Sequence, residues 1–261
     1  MDYQVTTAPM HEPVSIEQAK RHLRITESDS DNDVAALLSS ATRWCELYAN
    51  SAFLWQSITA RMDNLSDDSI RMPCSPLISV TSIKYKDVAG SEQTVDTGVY
   101  EVDTSSEPGK IILAYNQTWP SVRGHHHDVT IEFICGHAKT FSRSSNQLTV
   151  AGHLFRMNDF VQVYNIGGGL PTDLSAGTNY YVRAVSGHNI ELALTEGGPV
   201  VAMSEDGTGT HYIDAMPRYF INAILLVLTD LWSHRGDDPD GKGGPSRAVR
   251  ELLSMGRMIV I

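Results

Sequence analysis

From Asp31 to Tyr48 the apolar residues Val34, Leu37, Leu38, Ala41, Trp44, Cys45 and Tyr48 recur every three or four positions. That spacing lines one stripe of a helix, and the acidic residues at its start suit the helix dipole. Ahead of it, Ser15 with Gln18 three residues on forms a capping box that opens a short helix running through Leu23. Thr26 to Asn32 supplies the turn between the two. Beyond Asn50 the period falls to two: Leu54, Gln56 and Ile58 oppose Trp55, Ser57 and Thr59. Further short strands are expected near Ile70 and over Ser79 to Tyr85, Val99 to Val102, Lys110 to Ala114 and Val129 to Cys135. Asp87 to Gly90 and Glu107 to Gly109 mark turns, because Gly and Pro hold backbone angles that strands do not.

The pattern then changes texture. Between Asn146 and Ile213 it alternates sharply, with the pairs Leu148 and Val150, Val161 and Val163, Tyr180 and Val182, and Ile190 and Leu192 separated by Gly-rich or Asn/Asp turns. This stretch is expected to form a small all-β sandwich or barrel. Helical spacing resumes at Asp214, with Pro217 in the first turn and Phe220, Ala223, Ile224, Val227, Leu228 and Leu231 on one face. The helix is expected to stop at Arg235 and Gly236. Residues 237–245 are too polar and glycine-rich to fold alone and read as a mobile loop. Ser246 caps a last short helix bearing Val249, Leu252 and Leu253, and Arg257 to Ile261 reads as extended. The domain reading is thus a discontinuous outer domain, 1–139 with 214–261, interrupted by an inserted all-β domain, 140–213.

Composition narrows the function. In 261 residues, 41% of them hydrophobic, there is material for one large core or two modest ones. A net charge of -11 argues against tight wrapping of phosphate backbones, which depends on Lys and Arg displacing counterions. It suits both a channel through which DNA slides and ordinary solubility. The insert holds 3 Lys/Arg against 6 Asp/Glu and is itself mildly acidic. Cys45, Cys74 and Cys135 have no paired spacing and are read as buried small hydrophobes in a reducing compartment. No basic-then-apolar leader opens the sequence, and the longest apolar run, Ala223 to Leu228, is far below the roughly 20 residues of a membrane span. A soluble product made in a cytoplasm is expected.

The outer segments carry a resemblance. Pro76-Leu-Ile-Ser-Val-Thr-Ser-Ile-Lys-Tyr-Lys-Asp, Tyr100-Glu-Val-Asp and Glu107-Pro-Gly-Lys-Ile resemble the head-tail connector, or adaptor, proteins of tailed bacteriophages. The likeness covers roughly Glu12 to Gly136 and Met216 to Leu253. In the insert, Leu148-Thr-Val-Ala-Gly-His153, Ala176-Gly-Thr-Asn-Tyr-Tyr181 and Gly207-Thr-Gly-Thr-His-Tyr212 look like β-modules of phage tail and virion proteins. The resemblance implies an α+β fold, a helical bundle with a small antiparallel sheet. It also implies a ring of twelve copies in the virion neck, beneath the portal protein, that joins capsid to tail and continues the DNA channel. Double-stranded DNA would pass through without specific binding, and a tail or tail-completion protein would be the partner below.

A head-to-tail ring needs two different faces on each subunit. On that reading Trp44, Tyr48, Phe220 and Trp232 are candidate ring-interface anchors, the alternative being that they fill their own core. Arg257, Met258, Ile259, Val260 and Ile261 are candidate portal-binding residues that would add a strand to a neighbour's sheet edge; a tail tucked on its own domain is the alternative. Asp237, Asp238 and Asp240 are candidates for an acidic collar facing the channel, or for an exposed outer loop. The rival reading is a binding module, in which Tyr164, Tyr180 and Tyr181 of the insert stack on a fibre, decoration protein or glycan.

Chemistry is sparse. His125, His126 and His127 are consecutive on a short loop and cannot all face one metal. Asp63, Asp67 and Asp68 lack the loop order of a calcium site, and Gly167 to Gly169 lacks the lysine and hydroxyl of a phosphate-binding loop. No nucleophile elbow and no zinc-protease motif occurs. A non-enzymatic protein without cofactor or metal is expected.

Overall fold

The computed structural model describes residues 1–66, 68–234 and 246–257. The chain divides into two compact units, one of Met1–Pro9, Asn50–Gly136 and Arg257–Ile261, the other of Met10–Ala49 and His137–Gly256.

The first unit is built from β1 (Asp2–Thr7), β2 (Gln56–Met62), β3 (Ser69–Arg71), β4 (Leu77–Lys86), β5 (Glu92–Thr94), β6 (Tyr100–Asp103), β7 (Lys110–Leu113) and β8 (Val129–Cys135). Five of these make an antiparallel sheet in the order β1-β2-β8-β4-β5, and three make a second one, β3-β7-β6. β8 is central because its alternation is the most complete: Val129, Ile131, Phe133 and Cys135 all point inward. They meet Ile58 and Ala60 of β2, Ile83 of β4, Ile70 of β3 and Ile111 of β7 in one core. At the end of β8, Gly136 adopts φ +136, and a side chain there would run into the carbonyl of Leu54, so only glycine fits the turn.

The second unit holds four helices, α1 (Ile16–Leu23), α2 (Asp31–Ala49), α3 (Arg218–Ser233) and α4 (Arg247–Ser254), and seven strands. Ser15 caps α1 by accepting the Gln18 N–H at 3.1 Å, and Ser246 caps α4 by accepting that of Val249 at 3.4 Å. The helical core joins Val34, Leu38, Ala41 and Cys45 of α2 to Phe220, Ala223, Ile224 and Leu228 of α3 and Val249 and Leu253 of α4. Lys20 of α1 pairs with Asp31 at the start of α2, 2.5 Å away.

The strands are β9 (Ala138–Ser144), β10 (Gln147–Thr149), β11 (Phe160–Val161), β12 (Val163–Ile166), β13 (Tyr180–Ser186), β14 (Asn189–Ala193) and β15 (Thr210–Asp214). Their order is β11-β13-β14-β10-β9-β15-β12. The two edge strands, β11 and β12, are consecutive in sequence and separated only by Gln162, so the sheet curls into a nearly closed barrel. Its interior is filled by Leu148, Val150, Val161, Val163, Tyr180, Val182, Ile190, Leu192 and Ile213.

The expected fold, a helical bundle with a small antiparallel sheet, is corrected by this architecture. About 32% of the described chain is strand and 22% helix, and its largest sheet is the seven-stranded barrel. The reason is pairing. The period-two segments from Gln56 to Cys135 zip into seven strands rather than a small sheet, and the two ends of the expected insert, β9 and β15, pair with each other and complete the barrel.

Candidate functional site

Barrel closure depends on a buried polar cluster. At the bend between β11 and β12 the Gln162 N–H has no strand opposite it; the Asp214 carboxylate accepts it at 3.0 Å, and the Asp214 N–H returns a bond to the Gln162 carbonyl at 3.1 Å. The Tyr164 hydroxyl donates to the same carboxylate oxygen at 3.2 Å. Burial and the neighbouring carboxylate push the Tyr164 hydroxyl's pKa up, so it stays a donor. Gln162 also donates to Asn179 at 2.6 Å and to the Gly177 carbonyl at 3.2 Å. His11 lies with its Nε2 3.2 Å from the Asp214 carboxylate and its ring edge-on to Phe160, 5.6 Å between centroids. Beside this cluster opens a cleft of about 440 Å³ whose walls include His11, Glu17, Leu38, Phe160, Asn179 and Tyr181. The donors and acceptors here pair with one another across the barrel's seam, and the cluster fastens the fold.

The barrel is also tied to the helices of its own unit. Arg218, in the first turn of α3, sets one nitrogen 2.5 and 2.7 Å from the two carboxylate oxygens of Asp159, whose pKa burial raises against the pull of the guanidinium. Arg21 of α1 pairs with Glu196 at 2.8 Å, and Tyr181 donates to Glu17 at 3.3 Å.

Two surfaces stand out as places for a partner. In the first unit, β1 is exposed along its whole length and, among the described residues, is an edge strand paired with β2. Tyr3 and Val5 fall opposite Ala60 and Ile58, and so continue the sheet's core-facing side past the core, where they are 51% and 42% exposed. In the second unit, Trp44, Leu47 and Tyr48 lie at i, i+3 and i+4 on α2. The two rings stack at 5.2 Å, half-buried, and Leu47 beside them is 64% exposed.

No protein-family model matches the chain, and no curated protein sequence matches it. Its fold is shared with a chain of a gene transfer agent particle. The match to a structure of the virion of the native gene transfer agent particle has a TM-score of 0.58 at 15% identity, and covers 100% of this chain and 97% of that one. The necks of the empty particle, computed with C6 symmetry, and of the native particle, computed with C12 symmetry, match with TM-scores of 0.56 and 0.55 at the same identity and coverage. At 15% identity the likeness is one of fold.

Of the residues singled out from sequence, Trp44 and Tyr48 sit on the outward stripe of α2, and Trp232 is half-buried near the end of α3. Phe220 is wholly buried, packed on Tyr219 and His137, in line with the alternative that it fills its own core. Tyr180 fills the barrel interior, and its hydroxyl accepts the Ser175 N–H at 2.9 Å. Tyr164 is engaged in the Asp214 cluster, which leaves Tyr181, on the cleft wall, as the insert tyrosine placed toward solvent. Arg257 is exposed. Met258, Ile259, Val260 and Ile261, the loop with Asp237, Asp238 and Asp240, and Asp67 lie outside the described residues.

The histidine loop is tied to carboxylates. His126 and His127 stack at 3.7 Å, with His126 3.3 Å from Asp63 and His127 3.1 Å from Asp2. Among the described residues no cluster of His, Cys, Asp or Glu is arranged to hold a metal, and no helix is long and apolar enough to cross a membrane. Sequence reasoning missed β1 as an edge, although Tyr3 and Val5 alternate with polar neighbours, and it missed Asp214 as the barrel's latch, for which no local signal exists.

Proposed function

We propose that this protein is a structural subunit of the neck of a phage-like particle, a head-tail connector that assembles as a ring beneath the portal and continues the DNA path toward the tail. The observation that carries this reading is the end-to-end fold likeness to a chain of the gene transfer agent particle, seen also in its neck computed with C6 and C12 symmetry. The connector-like segments around Pro76, Tyr100 and Glu107 support the same reading from sequence.

Its action is assembly, with no catalytic step. A closed ring of identical subunits needs a heterologous contact, and the open edge of β1 and the Trp44, Leu47 and Tyr48 stripe are the surfaces assigned to it, their occupant a second copy of this chain. A strand at the edge of a sheet offers main-chain groups for pairing, and a neighbour in the ring would use them. The portal would be met by the chain's end from Arg257 onward, and the net charge of -11 keeps passing DNA from adhering.

The test is a particle preparation from cells in which the coding sequence has been deleted. The proposal expects DNA-filled heads and tails that fail to join, with joining restored when the protein is supplied. Intact tailed particles from the deletion strain would overturn it.

A further inference from the structure

The Sγ atoms of Cys74 and Cys135 lie 2.8 Å apart in the first unit, although 61 positions separate them in sequence. That is well inside ordinary sulfur contact and about 0.8 Å beyond an S–S bond of about 2.0 Å. The two positions are held from several directions. Cys135 ends β8, in the middle of the five-stranded sheet, where its backbone registers against both Gln56 and Leu77. Just after Cys74, the Ser75 carbonyl accepts the Ala52 N–H at 2.8 Å and the Ser51 hydroxyl at 3.2 Å, and the Pro76 carbonyl accepts the Gly136 N–H at 3.0 Å. Both ends of the pair are therefore fixed by backbone bonds, and a covalent link needs only a small side-chain adjustment.

We infer that Cys74 and Cys135 are a disulfide-forming pair, reduced during synthesis and linked when the protein meets a low-molecular-weight disulfide. The balance is that of thiol exchange. The thiolate of Cys74, 8% exposed against 0% for Cys135, attacks one sulfur of the reagent and expels one thiol. Cys135, as thiolate, then attacks Sγ of Cys74 and expels the second, so two protein thiols become one disulfide and the reagent becomes two thiols. Cys45 stands apart as the internal control: burial in the helical core pushes its thiol up to about 12, leaving almost no thiolate to react.

The inference rests on the first unit's geometry and not on the neck reading, so the two fail separately. The experiment takes the purified full chain, treats it with oxidised glutathione, then denatures it, alkylates it and measures its intact mass, with a peptide map under non-reducing conditions. The expected result is three alkyl groups before oxidation and one after, on Cys45, with a linked peptide containing Cys74 and Cys135. Closing so long a loop should raise the thermal midpoint on the order of 10 °C, reversed by dithiothreitol. Cys74→Ala should abolish the change in label count, whereas Cys45→Ser should keep it. Three labels after oxidation, a stable glutathione adduct on Cys74, or a link that includes Cys45 would overturn the inference.

Discussion

Asp214 and Gln162 hold each other by two hydrogen bonds of 3.0 and 3.1 Å, one from each backbone N–H, at the point where the barrel closes. A carboxylate does here what a strand does elsewhere in the sheet. Gln162 separates β11 from β12, so its N–H would otherwise be an orphan in a buried setting. Replacing Asp214 with Ala strands that donor and takes one acceptor from the Tyr164 hydroxyl, which keeps the Gln162 side-chain oxygen at 3.4 Å. We expect Asp214→Ala to lose about 2–4 kcal/mol of stability in urea unfolding, and Asp214→Asn, which keeps an acceptor, to lose less.

His137 gives the protein an acid-sensitive element. It sits at the start of the second unit with its ring 5.4 Å from that of Phe220, and burial pushes its pKa from 6.5 down to about 4. Because the folded state takes up the proton less readily than the unfolded one, stability is greatest above pH 6.5 and falls as the pH drops toward about 4. Thermal midpoints measured from pH 7.5 to 4 should fall along that window, and His137→Phe should flatten the fall.

Arg123 and Asp128 act at still lower pH. The guanidinium donates to the carboxylate at 3.0 and 2.6 Å, and this pairing, helped by the His125 N–H, holds the Asp128 carboxyl down to about 2. Its folded pKa lies below that of the unfolded chain, so its stabilisation is present above about pH 4 and is lost as the pH falls toward 2. Asp128→Asn should be less stable than the parent at pH 7, and the difference should shrink toward pH 2 in acid titrations followed by circular dichroism.

The outward surfaces allow assembly to be separated from folding. Leu47 is 64% exposed and Val5 lies on an open edge, so Leu47→Asp and Val5→Lys should leave subunit stability within about 0.5 kcal/mol of the parent. Both should abolish ring formation, because each sets a charge in the contact proposed for a neighbouring copy. Sedimentation of the two variants beside the parent checks this. Variants that still form rings would remove β1 and the α2 stripe from the contact.

The helices were legible in the sequence because each carries its own signals. Ser15 and Ser246 cap, and Val34 to Cys45 and Phe220 to Leu228 repeat at helical spacing. β8 was legible for a similar reason, its buried positions alternating without a break. β9 was not: of its seven residues only Phe141 is buried, and what makes it a strand is pairing with β10 and β15. The balance of helix and sheet was misjudged on the same account, since sheet partners are chosen over long separations and leave no local trace. Sequence left Phe220 and Tyr180 open between core and surface, because an aromatic on an apolar stripe reads the same whether the stripe faces its own core or a neighbour. Asp214 shows the limit most clearly: it reads as a residue near a helix start, and only the folded chain brings it to Gln162.

The most direct test of the account is the mass of the purified protein by light scattering, alone and after mixing with the cognate portal ring. A closed ring, whether preformed or assembled in fixed proportion on the portal, is the predicted result. A monomer or dimer whose mass does not change when the portal is added would contradict it.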